Sequence, residues 1–272
     1  MIFEYARGMI SIVTPTYNTD KDILARTWAS LKAQTFTDWE WVVWDDSTTD
    51  SVWHQLYGFA SDERFRLSAH KSHVHCGSIG EVKRRGFMVA GGNILVELDH
   101  DDELTPNALE EIHKAFADDN KVGFAYSDWC EILSTGESGV YPEGWAFGYG
   151  SEYWSDEHGV WVMRAPEIND ATIRHIVSAP NHVRAWRADV YRELNGHDPS
   201  YPVADDYELI VRTFLKTKMH HIPQLLYKQH IGPSTAQRQR NDLIQVLVAG
   251  IADKYKDAIT LRLEELGSSP SE

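Results

Sequence analysis

The chain has 272 residues, with 42% apolar and 25% charged side chains, which is a globular composition long enough for one large domain or two small ones. Lys and Arg number 26 and Asp and Glu 41, so the formal net charge is −15. That excess of carboxylate excludes general polyanion binding, is compatible with sites for divalent cations, and leaves any DNA or phospholipid contact to a local basic patch. No apolar run reaches the roughly 18–20 residues that span a bilayer; the best, 243–252, is shorter and contains Gln245. The N-terminal MIFEYARG lacks the apolar core of a signal peptide. Two cysteines, Cys76 and Cys130, are too few for a disulfide framework or a Cys-rich zinc site. A cytoplasmic protein is expected, peripheral to a membrane if it acts on a lipid-linked molecule.

Short apolar runs alternate with helical patterns through the first half. ISIVT (10–14) predicts a buried strand, closed by the turn Pro15-Thr16-Tyr17-Asn18. Leu24, Trp28 and Leu31 recur at helical spacing within 22–34. WEWVVW (39–44) is a second strand ending in Asp45-Asp46-Ser47, and 65–68 a short third one. Ile79, Val82, Gly86 and Val89 mark one face of a helix stopped by Gly91-Gly92. ILVEL (94–98) is a fourth strand, running into Asp99-His100-Asp101-Asp102. Thr105 and Pro106 then read as N-cap and N1 of a helix whose buried face carries Leu109, Ile112 and Phe116. A further strand follows at 122–126.

Strands alternating with helices predict an α/β fold with a mostly parallel central sheet flanked by helices. Such sheets bind ligands beyond the carboxyl ends of their strands, where Thr14–Asn18, Asp45-Asp46 and Asp99–Asp102 fall. After Tyr126 the pattern changes. Residues 129–161 form a loop-rich, aromatic-rich stretch containing Trp129, Trp145, Trp154 and Trp161, with Tyr149 and Tyr153. Regular structure resumes near Arg174 and includes 205–215 and a final helix over 241–266. The expected division is one domain over 1–240 in two halves, 1–128 and 129–240, then a C-terminal helix and tail (241–272).

Three polar groups carry chemistry. In LDHDD (98–102) a turn can direct Asp99 and Asp101 into one cleft, where two anionic oxygen donors suit Mg²⁺ or Mn²⁺. The alternative is an Asp-rich loop capping the next helix, with Asp102 a turn residue and His100 a spacer. In ADDYELIVR (204–212) Asp205 stands three residues before Glu208, the spacing of a capping box, which leaves Asp206 free in the first turn. Asp206 is then either a general base or an acidic residue favoured by the helix dipole. His230 could complete a metal site beside Asp101. Trp145, Trp154 and Trp161 offer either a stacking platform for a sugar or base, or the filling of a small second layer. Arg184, Arg187 and the Arg238-Gln239-Arg240 run are either a phosphate-facing rim or solvated helix charges. No GxxxxGK[ST], GxGxxG, GxSxG or HExxH occurs.

Taken in order, these segments resemble family 2 glycosyltransferases of the GT-A fold. The resemblance runs through ISIVTPTYN (10–18), LKAQTF (31–36), WEWVVWDDSTTD (39–50), CGSIGEVKRRGFMVAGGNILVELDHDD (76–102), ELNGHDPSY (193–201) with ADDYELIVR, and YKQHIGPST (227–235), covering about residues 9–240. It implies an inverting, metal-dependent enzyme that moves a hexose from a nucleoside-diphosphate sugar, by default a UDP-sugar, to an acceptor hydroxyl. Carried onto this chain, it places Thr14, Pro15 and Tyr17 at the nucleobase with Asp46 or Asp45 bonding the base. Lys83, at a position for phosphate or base contact in the donor site, stands where the family often has arginine. Asp99 would meet ribose and metal, with His100 beside it, Asp101 would bridge metal to diphosphate, and His230 would be the C-terminal ligand. Asp206 matches the general base, and Asp205 replaces the family's glutamate on the acceptor side, leaving open which of the pair is the base. Alternatives are a nucleotidyltransferase making sugar nucleotides, and a non-catalytic carbohydrate-binding protein of the same fold.

Overall fold

The computed structural model describes residues 6–62, 65–141, 151–232 and 240–267. In chain order the elements are β1 (Ala6–Thr16), α1 (Lys21–Lys32), β2 (Trp39–Asp45), α2 (Ser51–Ala60), β3 (Arg66–Lys71), α3 (Ile79–Val89) and β4 (Gly92–Glu97). There follow β5 (Glu103–Leu104), α4 (Ala108–Asp118), β6 (Val122–Leu133), β7 (Tyr153–Ser155), β8 (Val160–Val162) and α5 (Asp170–Ile173). The chain continues with β9 (Arg184–Arg187), α6 (Ala188–Glu193), α7 (Asp205–Lys216), β10 (Lys218–Ile231) and α8 (Asn241–Glu265).

Eight strands form one sheet in the order β3-β2-β1-β4-β9-β6-β10-β5, and β7 and β8 pair as a separate antiparallel hairpin. β1 runs parallel to β2 and β4, β2 parallel to β3, and β6 parallel to β10. The expected mostly parallel sheet is present, with two antiparallel insertions that the alternation did not reveal. β9 runs against both β4 and β6, and β5 against β10. Reversing twice through β9 leaves β6 and β10 parallel to β1–β4, so the carboxyl ends of both halves share one edge.

Local chemistry explains the helix positions. Asp20 caps α1 by accepting the Asp22 N–H, and Ser78 caps α3 by accepting the Glu81 N–H. Leu24, Trp28 and Leu31 are buried as expected, and Trp28 stacks on Trp41 at 5.3 Å. On α3 the buried face is Val82, Lys83, Gly86 and Phe87, while Ile79 and Val89 are exposed, which corrects the predicted face. Gly86 sets it. A Cβ there would lie 2.7 Å from Val13 Cγ1, so the missing side chain lets α3 settle onto β1.

Two caps and one strand also differ from expectation. Thr105 and Pro106 precede α4, whose N-cap is Asn107, because Thr105 is held by β10 through the Leu225 and Leu226 carbonyls. Asp205 is the first residue of α7 and not its cap, since Ala204 occupies the cap at φ 59°. β6 runs on to Leu133 inside the segment read as loop-rich, because its buried positions are continuous. Behind the sheet edge, α7 and α8 share an apolar cluster with Ile244, Val248, Ile251, Ile259 and Leu263. Among the described residues no helix is long and apolar enough to cross a membrane.

Candidate active site

At the end of β1 and β2, Thr14 is fully buried and its hydroxyl accepts the Trp41 indole N–H at 2.9 Å. Pro15 is buried, while Tyr17 is 48% exposed and stacks on His75 with ring centroids 4.7 Å apart. The two aspartates that the sequence left interchangeable have different places. Asp45 accepts the Thr16 hydroxyl at 3.0 Å and the Ser47 N–H at 3.1 Å, and so ties the turn to β2. Asp46 faces the loop after β3. It accepts the Cys76 and Gly77 N–H groups at 3.1–3.4 Å and lies 2.7 Å from His75 Nδ1. Burial alone would raise its carboxyl, but hydrogen bonds from Ser72, Cys76 and Gly77 outweigh that and hold it below the usual range. A shallow depression lined by Trp53, His70, Lys71, Ser72 and His73 adjoins this end of the sheet.

The DHDD turn is held from behind. Arg26 donates to the Asp101 carbonyl at 2.6 Å, and the Thr27 hydroxyl lies 2.8 and 2.9 Å from the His100 and Asp102 carbonyls. Asp102 is buried and accepts the Tyr227 hydroxyl and the His230 N–H, both at 2.7 Å, so it buckles the turn to β10. Burial, then Asp101 and Asp99, push its carboxyl well above the ordinary range. His100 is half-buried, with its Nδ1 enclosed and unpaired.

By contrast, among the described residues no hydrogen bond or ion pair reaches the carboxylates of Asp99 and Asp101. Burial, opposed by Lys83 and reinforced by Glu97 and Asp101, raises the Asp99 carboxyl. Two bare oxygen donors fit a hard cation such as Mg²⁺ or Mn²⁺, which takes one or two protein carboxylates and completes its shell with phosphate and water. Among the described residues there is no group of three or more His, Cys, Asp or Glu arranged to hold a metal. His230 has one ring nitrogen bound, Nε2, which lies 2.7 Å from Glu103 Oε1.

Behind both turns lies a buried charge network that sequence reasoning did not find. Lys83 is 5% exposed and its Nζ sits 2.7 Å from Glu97 Oε1, so its ammonium points into the core. Arg184 Nη1 lies 3.1 Å from the same Glu97 oxygen and 2.8 Å from Asp206 Oδ2. His197 Nε2 lies 3.3 Å from the other Glu97 oxygen and 4.0 Å from Asp205 Oδ2. Burial favours the neutral Glu97 carboxyl, but Arg184, Lys83 and His197 hold it well below the ordinary range. Arg184 was expected at a phosphate rim; the structure buries it. Arg187 is likewise not at a rim, because it binds the Phe116, Asp119 and Val122 carbonyls that end α4 and open β6.

The α7 start separates its two aspartates. A Cβ at Gly80 would lie 3.0 Å from Asp205 Cβ, so α3 packs directly against Asp205, which is 4% exposed. Burial, with Asp206 and Glu97, raises the Asp205 carboxyl against Lys83 and His197. The Asp206 side chain is 28% exposed. Burial would raise its carboxyl too, yet Arg184 and Lys83, with the Tyr207 N–H, hold it below the usual range. Trp154 and Trp161 face each other across the β7–β8 hairpin at 5.7 Å, 48% and 40% exposed. Trp145, Tyr149, Arg238 and Gln239 lie outside the described residues.

Together, the eight-stranded sheet and the carboxylates at its strand ends define a GT-A fold. The *S. aureus* protein TarS (residues 1–349), solved in complex with UDP, superposes with a TM-score of 0.63 at 17% identity, covering 97% of this chain and 67% of that one. Residues 11–140 match the profile of glycosyl transferase family 2. The O-antigen biosynthesis protein RfbC of *Myxococcus xanthus* is 23% identical over 246 residues, 90% of this chain and 18% of its own length. Chondroitin synthase of *Escherichia coli* is 25% identical over 236 residues, 86% of this chain and 31% of its own. The chain thus spans under a third of the length of these curated relatives. Over residues 11–140 the chain carries the glycosyl transferase family 2 profile, and over most of its length it is similar to these glycosyltransferase relatives.

Proposed function

We propose that this chain is an inverting glycosyltransferase that moves a hexose from a UDP-sugar to an acceptor hydroxyl. The observation that carries the reading is Asp206, a part-exposed, ionised carboxylate whose Arg184 partner also feels the charge of Asp99 in the DHDD turn. The part-exposed Asp206 and the first aspartate of the DHDD turn thus share the field of one guanidinium, which supports a base working beside the donor site.

Residues 6–128 supply the donor half. Tyr17 and Asp46 serve the nucleobase, by stacking and by hydrogen bonding. Asp99 and Asp101 would hold Mg²⁺ or Mn²⁺ against the diphosphate, and the cation would supply charge neutralisation of the leaving nucleotide. With Nε2 held by Glu103, Nδ1 is the His230 nitrogen that would join them. In the acceptor half, Asp206 takes the acceptor proton as that oxygen attacks the anomeric carbon from the face opposite the leaving group. A single displacement inverts configuration. Trp154 and Trp161 offer an exposed aromatic surface to a saccharide acceptor.

UDP titration by calorimetry, with and without MnCl₂, tests the donor site, with metal-enhanced binding expected. Asp206→Asn should retain that binding and lose roughly 10²–10⁴-fold in the rate of UDP release from the donor sugar. Metal-independent or absent UDP binding refutes the donor site, and undiminished turnover refutes the base.

A further inference from the structure

We propose that Arg184 is a positioning residue for Asp206, holding its carboxylate in one orientation toward the acceptor; this rests on the transferase reading above. The sheet itself makes the arrangement. β4 and β9 are antiparallel and in register Glu97 faces Arg184, so the two side chains leave adjacent backbones together. The guanidinium is then held on three sides. Nε donates to the Asn181 carbonyl at 2.6 Å, and Nη1 lies between Glu97 Oε1 at 3.1 Å and Asp206 Oδ2 at 2.8 Å. It is 4% exposed, whereas the Asp206 side chain is 28% exposed. A rigid cation in the protein thus grips a carboxylate that reaches the surface.

The second oxygen is fixed as well, because Asp206 Oδ1 accepts the N–H of Tyr207 at 2.7 Å. Each oxygen gives up one lone-pair direction to the protein and keeps another for a proton. The groups facing Asp206 are Lys83 from α3, Glu97 from β4, Arg184 from β9 and Asp205 from its own helix, with His197 beyond Asp205. Without Arg184 no donor would hold Asp206 Oδ2, and only the Lys83 ammonium would offset the repulsion of Glu97 and Asp205. One guanidinium nitrogen lies between Glu97 and Asp206 while Nε is tied to the Asn181 carbonyl, and a lysine ammonium lacks the second, rigidly spaced donor that fixes that nitrogen in place.

The test uses the full chain and whichever of UDP-glucose, UDP-galactose, UDP-N-acetylglucosamine or UDP-N-acetylgalactosamine the wild type hydrolyses. Arg184→Lys keeps the buried charge balance, so melting temperature and UDP affinity should stay near wild type while kcat falls about tenfold. Arg184→Met should lower kcat about 100-fold, the scale of a misplaced catalytic group, and move the acid limb of the pH–rate profile upward. Full kcat in Arg184→Lys overturns the proposal, as does a loss of UDP affinity equal to the loss of kcat in either variant. Absence of UDP binding to the wild type with MnCl₂ present overturns the transferase reading itself, and is read before any variant is made.

Discussion

Lys83→Met probes the charge network that underlies the site. The wild-type ammonium lies 2.7 Å from Glu97 Oε1, and both groups are nearly out of water. At an effective dielectric of about 20, Coulomb's law gives that pair a gross attraction of about 6 kcal/mol. Removing one partner of a buried pair costs about 3–5 kcal/mol, because the other charge is left behind. Arg184 remains 3.1 Å from the same oxygen, so the expected loss lies near the lower end, about 3 kcal/mol. For a chain of this size that corresponds to a fall in Tm of roughly 6–12 °C. Burial opposes the Lys83 charge, but Glu97, Asp205 and Asp99 raise its pKa above the ordinary lysine value. The pair's stabilisation is therefore complete below the unfolded lysine pKa and fades only as pH rises through the higher folded value. The deficit of the variant should accordingly stay constant from about pH 6 to 9. Urea unfolding followed by tryptophan fluorescence measures it. A loss under about 1 kcal/mol, the worth of an exposed ion pair, would refute the buried network. So would a large drop in UDP affinity with stability unchanged, since that is the mark of a lysine facing the nucleotide.

The pH–rate profile of donor hydrolysis should show no Asp206 inflection between about pH 5 and 8, because its folded pKa lies below the ordinary value near 3.9. Its contribution to stability follows the same sign, present above the unfolded pKa and lost as pH falls through the folded one; a carboxylate limb centred near pH 6 would contradict this. Gly86→Ala gains about 1 kcal/mol of helix propensity but places a methyl 2.7 Å from Val13 Cγ1, so overpacking of about 1–3 kcal/mol should leave a net loss by urea titration. His75→Ala frees Asp46 and the face of Tyr17, so UDP Kd measured by calorimetry should fall about 2–10-fold, the equivalent of one aromatic contact. A weaker Kd would make His75 a binding residue instead.

The strand ends were legible because composition changes abruptly there: apolar runs stop at Pro15, Asp45 and Asp99. The β9 strand was not, since Arg-Ala-Trp-Arg is short and bracketed by cations, and its ion pairs to Glu97 and Asp206 explain why an arginine can be buried there. Glu97 reads in sequence as the polar end of a strand, and its partners come from α3 and β9, far apart along the chain. β10 was hidden for another reason. Its register shifts between Ile222 and Leu225 and again before Tyr227, which breaks the alternation a strand otherwise shows. The choice between Asp45 and Asp46 also needed three dimensions, because adjacent residues at a strand end point to opposite faces.

The two margins of the sheet bear on how the protein behaves in a crowded solution. A strand with unpaired N–H and C=O groups invites pairing with another chain. One margin here is β5, only two residues long. The other, β3, carries Arg66 at its start and Lys71 at its end, ion-paired to Asp38 and Asp50. A second molecule approaching β3 would have to strip water from those charges before any backbone bond formed, and β5 offers too little length to template one. Both borders thus discourage the sheet from growing between molecules, leaving its opposite faces to carry side-chain packing and its carboxyl edge to carry the chemistry.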